Sequence, residues 1–180
     1  MRSYKTQGII IKRNNFGECD RILTVFTKNQ GKISVKAKGV RKISSKRASH
    51  VELLNLSTLS LYEGSKFPIL TEAETIDSFD FLKNDLSKVG VAYHICELIN
   101  ELCPQHQENR MVFSLILDTF QKLSFENTRD VVKNFEIELL TLLGFWNSNL
   151  KDQNTHFVIE NILEKRLKTA RILSLFDYSL

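Results

Sequence analysis

The sequence predicts an α+β protein in which a small five-stranded β domain is followed by an all-helical domain. Up to residue 78, short runs of β-branched and other apolar residues are separated by turn-forming residues, which is typical of short strands. From Phe79 onward, apolar residues recur at every third or fourth position, which is the period of an amphipathic helix. We therefore expect a closed barrel or a sandwich over residues 1–78 and a helical domain over residues 79–180.

Five apolar runs account for the β domain. The connection at residues 28–31 is so short that the second and third strands should form a hairpin. Pro68 lies at the start of the fifth run, where a strand tolerates proline. The predicted strands are residues 4–12, 19–27, 32–38, 51–62 and 67–76.

Four helices are predicted after the boundary. Pro104 ends the first helix, and the third is expected to begin after a cap at Asn127 and to end at Gly144. Asn154 or Thr155 is the expected cap of the last helix. The predicted helices are residues 79–102, 111–123, 127–144, and from 154 or 155 through 175.

A basic stretch begins in the third strand. Ile33, Val35 and Ala37 fall on one face of this strand, which we expect to be the core face. The other face is expected to carry a row of ammonium groups, and after Gly39 a mobile basic loop follows. The cations of the strand and loop are Lys32, Lys36, Lys38, Arg41, Lys42, Lys46 and Arg47.

Two interpretations of this basic stretch remain open. No acid lies between Asp20 and Glu52, so no neighbour in the sequence neutralises these cations. Such a surface favours a polyanion, because each neutralised phosphate releases a condensed counterion. The alternative is a charged edge strand that prevents edge-to-edge pairing. Arg21 either reaches the basic face or pairs with an acid.

The distribution of charge favours the polyanion. The net charge of the chain is +4. Residues 1–80 contain 14 Lys and Arg against 8 Asp and Glu, whereas residues 81–180 contain 11 against 13. The excess of cations therefore belongs to the first half, and we expect a polyanion to bind there.

No known catalytic motif is present in the sequence, and we predict that the protein is not an enzyme. The histidines are scattered, and His94 on an apolar helix is interpreted as a satisfied core or boundary imidazole rather than a metal ligand. Aromatic rings that are exposed on a barrel can stack on bases, although most aromatic side chains are buried in the core. The candidates are Tyr4, Phe16, Tyr62 and Phe67.

Cysteine usage and hydropathy predict a cytoplasmic protein. The three cysteines are widely spaced and include no C-x-x-C pair, which argues against a disulfide framework and a zinc ribbon. We expect neither a signal peptide nor a membrane span, because no apolar run approaches the required length.

The segment GECDRILTVFT at residues 17–27 resembles the bacterial recombination mediator family RecO. The Gly-Lys pair at residues 31–32, the KGVRK segment at 38–42 and the LLGF segment at 142–145 are similar to that family as well. The resemblance implies an N-terminal OB-fold and a helical domain. It also implies a non-enzymatic DNA repair protein that binds single- and double-stranded DNA and anneals complementary strands without ATP. Its implied partners are RecR and the single-stranded DNA-binding protein, with which it loads RecA, and its implied place is the nucleoid in the cytoplasm.

The resemblance also assigns candidate residues. The implied DNA contacts are those on the basic strand and loop, with Arg21 as a further candidate. The acidic, apolar-ended tail of the single-stranded DNA-binding protein implies a pocket with a cationic rim on the helical domain. Candidates for that rim are Lys165, Arg166, Lys168 and Arg171, for which a solvated helix face is the alternative.

One feature differs from the family. Many members carry a four-cysteine zinc module after the leucine-leucine-glycine segment, whereas residues 147–155 here contain no cysteine. We therefore predict no zinc and no other cofactor. Two further functions stay open: an RNA-binding OB module, and a protein-interaction adaptor that receives an acidic peptide.

Overall fold

The computed structural model describes residues 3–147, 150 and 153–174. The chain forms two compact units that are not continuous in sequence. The first unit contains Met1–Phe79 together with Pro104–Arg110, and the second contains Asp80–Cys103 together with Met111–Leu180. The first unit therefore includes a short segment that the sequence placed between two helices of the second.

The first unit is a closed five-stranded barrel with the strand order β1-β2-β3-β5-β4. Neighbouring strands are antiparallel except β3 and β5, which are parallel and meet at Lys36 and Ile69. This is the OB-fold, so the fold class is confirmed and the sandwich is excluded. The strands are β1 Ser3–Phe16, β2 Asp20–Thr27, β3 Gly31–Ala37, β4 Leu56–Tyr62 and β5 Ile69–Asp77.

The inside of the barrel is filled by alternating residues of these strands. On β3, the side chains of Ile33, Val35 and Ala37 are buried in one apolar cluster, as the alternation predicts. Leu23 and Val25 of β2 belong to the same cluster. The core face of the basic strand is therefore the expected one.

Two strand boundaries differ from the sequence prediction by more than two residues. β1 continues through the expected turn to Phe16, because its second half pairs with β2 as far as Asp20. The fourth strand starts at Leu56 rather than at residue 51. Ser49–Val51 forms a 3-10 turn, and Leu54 adopts a positive φ of 73°, which interrupts an extended chain.

Pro104–Arg110 lies against the start of β3. The Lys32 backbone forms a parallel bridge with Gln105, and its carbonyl accepts a hydrogen bond from the His106 N–H at 2.9 Å. Gly31 has a φ of +64°, and a Cβ there would lie 1.8 Å from the carbonyl oxygen of Gln107. Only glycine satisfies both conditions, so Gly31 is required for this close approach.

The second unit is helical. In the described part of the chain it contains more and shorter helices than predicted, although α3 and α4 lie close to the expected positions. Asn127 caps α4 by accepting a hydrogen bond from the Arg129 N–H, and Gly144 follows the helix with a φ of +81°, as expected. The helices are α1 Asp80–Lys83, α2 Leu86–Leu102, α3 Arg110–Lys122, α4 Thr128–Leu142, α5 Thr155–Leu163 and α6 Ala170–Ser174.

Two predicted helices are each divided in two. The first breaks before Leu86, because the Asp85 carboxylate accepts the N–H groups of Ser87 and Lys88 and starts a new helix. The last is capped by Asn154 as expected but ends at Leu163, where Glu164 takes the left-handed conformation. The predicted end of this helix at residue 175 lies outside the described residues.

A buried polar network joins the helices of the second unit. His94 of α2 is fully buried, and its two ring nitrogens lie 2.8 Å from Thr169 Oγ1 and 2.8 Å from Glu136 Oε1. The other oxygen of Glu136 accepts a hydrogen bond from the Thr155 hydroxyl. The interpretation of His94 as a satisfied core imidazole is confirmed.

We expect the Glu136→Gln substitution to destabilise the helical unit by about 2 kcal/mol. The amide carries no negative charge and has one oxygen in place of two, so the contacts of Glu136 with Thr155 and His94 in the buried network would be weakened. The measurement is urea denaturation, monitored by far-UV circular dichroism because this signal reports the helix content.

Glu138→Gln is the matched control, because Glu138 lies on the same helix and is exposed. This variant should unfold at the urea concentration of the unmodified protein. Equal unfolding midpoints for the two variants would contradict the proposed importance of the buried network.

Candidate nucleic-acid interface

The start of the basic strand is not an open surface. The Lys32 side chain is only 7% exposed, and Phe26, its partner across the hairpin, is 1% exposed. The backbone of residues 105 and 106 runs beside Lys32. The expectation of a continuous row of exposed ammonium groups is therefore wrong at Lys32, because a distant segment of the chain returns to this end of β3.

The other end of β3 holds a cation, an aromatic ring and an acid together. The Lys36 ammonium lies 4.6 Å from the ring centroid of Phe16 and 3.3 Å from Asp20 Oδ2. Phe16 and Asp20 face each other across the β1–β2 pair, and Lys36 pairs with Ile22 on β2. The Phe16 ring is 49% exposed, so a cation–π pair stands at the surface of the barrel.

Both acids that bracket the basic stretch fold back onto cations. Asp20 pairs with Lys36, and Glu52 pairs with Arg13 and Arg21, whose guanidinium lies 3.5 Å from Glu52 Oε1. Among the cations of the basic stretch, the expectation that nothing nearby neutralises them is therefore wrong at Lys36. Of the two possibilities for Arg21, the structure has the acid pair.

Asp20 also holds the beginning of the basic loop. Its Oδ1 atom accepts a hydrogen bond from the Gly39 N–H at 2.8 Å. That hydrogen bond, with the Lys36 ammonium nearby, holds the pKa of the Asp20 carboxyl below its ordinary value. A further hydrogen bond, from the Arg41 N–H to the Cys19 carbonyl at 2.9 Å, joins the loop to the β1–β2 turn.

Arg47 anchors the far side of the loop. Its Nη1 atom donates to the Leu70 carbonyl at 2.7 Å, and its Nη2 atom donates to the Lys38 carbonyl at 2.8 Å. These contacts join the loop to the start of β5 and the end of β3. Two of the guanidinium nitrogens of Arg47 thus bond to the protein itself, and its first role in this structure is to hold the loop.

Four of the predicted contact residues are exposed cations. No acid of the described residues forms an ion pair with Lys38, Arg41, Lys42 or Lys46, and all four side chains are exposed. Three of them border an open depression of about 550 Å³, which has the size of a small ligand site. The residues around it are Asp20, Lys38, Gly39, Lys42, Ser44, Ser45, Lys46 and Arg47.

Sequence reasoning did not select Lys66 as a candidate. Its ammonium lies 5.6 Å from the Phe67 ring centroid, in the loop between β4 and β5. The Pro68 carbonyl at the end of that loop accepts a hydrogen bond from the Lys36 N–H at 2.8 Å, so the loop reaches the same end of β3. The loop between the fourth and fifth strands commonly contacts ligands in OB-folds. The adjacent lysine and aromatic residue in this loop could have identified Lys66 as a candidate from the sequence.

The other aromatic candidates differ in exposure. Tyr4 is half-buried and packs against the barrel core, which favours the packing interpretation. Tyr62 is half-buried at the end of β4. Phe16 is therefore the most exposed of the four predicted rings, and Phe67 is half-buried beneath Lys66.

The cations predicted for partner binding do not share one helix. Only Arg171 lies on α6, and the others lie in the connection after α5. Lys165 pairs with Glu101, and the Lys168 N–H donates to Glu97 at 2.9 Å. All four side chains are exposed: Lys165, Arg166, Lys168 and Arg171.

No group of three or more potential metal ligands occurs in the described part of the chain. Cys96 and Cys103 are buried, and burial raises the pKa of the Cys96 thiol to about 12. In the absence of a metal, the Cys96 thiol is therefore protonated at neutral pH. Among the described helices, none has both the length and the apolar character that crossing a bilayer requires.

Comparison with known proteins gives two family matches. The family described as "Recombination protein O N terminal" matches residues 1–79, and the one described as "Recombination protein O C terminal" matches residues 83–146. The first match coincides with the continuous part of the barrel unit, and the second covers α2, α3 and α4.

Similar curated proteins carry the name DNA repair protein RecO. The chain is 37% identical over 145 residues to that of Roseiflexus sp. strain RS-1, covering 80% of this chain and 51% of the relative. It is 35% identical over 147 residues to that of Acetivibrio thermocellus, covering 81% and 59%. It is 37% identical over 143 residues to that of Dehalococcoides mccartyi strain BAV1, covering 79% and 56%.

The aligned part of this chain thus spans between half and three fifths of the length of these relatives. The two family matches are consecutive and together extend from the first strand of the OB-fold to the end of α4 and beyond. The chain therefore belongs to the RecO family, whose named members are DNA repair proteins.

Proposed function

We propose that this protein binds single- and double-stranded DNA on the barrel unit and anneals complementary strands without ATP. The observation that carries the proposal is the group of exposed cations at the end of β3. Lys38, Lys42 and Lys46 surround one open depression, and Arg41 stands beside them in the same loop. Membership of a family of DNA repair proteins supports DNA as the polyanion.

The proposed mechanism is electrostatic. Two DNA strands repel each other through their phosphates, and this repulsion opposes pairing. A surface that neutralises phosphates of both strands lowers the repulsion and releases condensed counterions. The bases need no contact with these cations, so their pairing edges stay available to the second strand.

Phe16 is the proposed stacking platform for a base. Its ring is half-exposed, and the Lys36 ammonium lies over it at 4.6 Å. A base that stacks on an aromatic ring brings its phosphate close to a neighbouring cation, which is the usual combination in single-strand binding. The Phe16 ring would thus contact a base, while Lys36 beside it stays paired with Asp20 in the unmodified protein.

Further partners are proposed from the family alone. We expect RecR and the acidic tail of the single-stranded DNA-binding protein to bind this chain, which would help to load RecA at the nucleoid. Competition separates this proposal from the adaptor function. If the acidic tail peptide displaces DNA from the protein, the basic loop is a peptide site; if the two bind together, the peptide binds elsewhere.

The experiment that tests the proposed function is annealing of two complementary labelled oligonucleotides across a salt series, without nucleotide or added metal. We expect the protein to accelerate annealing, with an effect that fades as salt rises. Tight binding without acceleration would reduce the function to recruitment, and a preference for RNA would favour the RNA-binding alternative. No binding to DNA would overturn the proposal.

Replacement of Lys38, Lys42 and Lys46 by alanine should weaken DNA binding and slow annealing. The salt dependence of single-strand binding should fall by about 2 in log–log slope, because each lost phosphate contact accounts for about 0.7. Fluorescence anisotropy at several salt concentrations measures the slope. An unchanged slope would remove the basic loop from the site.

The matched control changes the net charge equally at exposed lysines elsewhere in the chain. This triple variant should keep the slope, because its cations lie outside the basic loop. Its positions are Lys28, Lys83 and Lys133.

We expect the Asp20→Asn substitution to strengthen DNA binding. The amide oxygen can still accept the Gly39 N–H, but the negative charge that pairs with Lys36 is gone. Lys36 would become available to a phosphate, and the slope for single strands should rise by about 0.7.

Asp118→Asn controls for the change in net charge, because Asp118 is exposed on α3. The affinity of the Asp118→Asn variant for DNA should equal that of the unmodified protein. Weaker binding by Asp20→Asn would mean that the charge of Asp20 supports the site rather than competing with DNA.

A further inference from the structure

Ile43 is the most exposed large apolar side chain in the described part of the chain. Its relative exposure is 108%, whereas the next values are 74% for Leu86 and Phe125. Its side chain therefore makes no use of the barrel core and stands wholly in water. An apolar group in this position gains free energy only when a ligand buries it.

The backbone that carries Ile43 is fixed by hydrogen bonds. The Ser45 N–H donates to the Lys42 carbonyl at 2.9 Å, which closes a four-residue turn with Ile43 and Ser44 at its centre. The preceding turn is closed in the same way by the Lys42 N–H and the Gly39 carbonyl at 3.1 Å. Two consecutive turns hold the side chain in place before binding, which lowers the entropy that binding costs.

Cations flank this turn on both sides. Arg41 and Lys42 precede Ile43, and Lys46 follows it, all with exposed side chains. A ligand that suits both features needs negative charges along its backbone and apolar surfaces between them. A single DNA strand has this alternation, because its phosphates repeat along the chain and its bases have flat apolar faces.

We propose that Ile43 inserts between two neighbouring bases of a DNA strand held by the basic loop. Apolar side chains beside phosphate-binding cations act as wedges of this kind in other DNA-binding proteins. The inference rests on the proposed function and adds the residue that opens the base stack. A strand whose bases are separated at this point offers its pairing edges to the complementary strand.

The test places 2-aminopurine, a base whose fluorescence rises when it is unstacked, within a single-stranded oligonucleotide. At saturating concentration, the unmodified protein should raise the fluorescence, and Ile43→Ser should not. The affinity of Ile43→Ser should fall about tenfold, because burial of one isoleucine is lost. Its salt slope should stay the same, since no cation is removed. Ile43→Leu should restore both fluorescence and affinity.

Ile76→Ser is the matched control, because Ile76 is 49% exposed on β5 outside the basic loop. This variant should behave as the unmodified protein does. The proposed role of Ile43 is overturned if Ile43→Ser keeps both the fluorescence rise and the affinity for DNA, while the Lys38, Lys42 and Lys46 triple variant still shows a reduced salt dependence of binding. Absence of DNA binding by the unmodified protein would overturn the wedge and the proposed function together.

Discussion

The candidate interface depends on one carboxylate. Asp20 begins β2 and joins three parts of the surface: the β1–β2 turn, the Lys36 end of β3 and the first residue of the basic loop after Lys38. An aspartate is ionised at neutral pH even at its ordinary pKa, and the lowered pKa of Asp20 preserves its charge, and with it these contacts, in more acidic solution. The carboxylate stabilises the arrangement above its ordinary pKa, and this contribution is lost only as the pH falls through the lowered value. An anion at the centre of a cationic surface thus organises the surface while it reduces the positive charge offered to a ligand.

Much of the fold follows from local sequence patterns. The alternation along β3 identified Ile33, Val35 and Ala37 as core residues, and the capping residues Asn127 and Asn154 began helices where expected. The patterns failed where a side chain bonds to the backbone near it. Asp85 starts a new helix within an apolar period that looks continuous, because periodicity does not register which N–H groups a carboxylate accepts.

The site was less predictable than the fold, for a different physical reason. Lys46 and Arg47 are neighbours of the same charge, yet Lys46 is exposed to solvent and Arg47 donates to the backbone carbonyls of Leu70 on β5 and Lys38 just after β3. Composition cannot separate these roles, because the carbonyl partners come from elsewhere in the chain. Likewise, a count of acids along the sequence missed the ion pairs of Asp20 and Glu52, which the strand register and the tertiary fold bring to Lys36 and Arg21.

The close approach at Gly31 affects the order in which the protein can fold. The barrel unit takes Pro104–Arg110 from beyond α2, so its complete set of contacts is not available to a ribosome-bound chain that ends at residue 79. During synthesis, the β3 end of the barrel must wait until α2 and the following segment have emerged. A fragment cut at the apparent domain boundary would, by the same reasoning, leave the β3 backbone at Lys32 without its neighbouring segment. The barrel unit therefore completes its own contacts only after part of the helical unit has been synthesised.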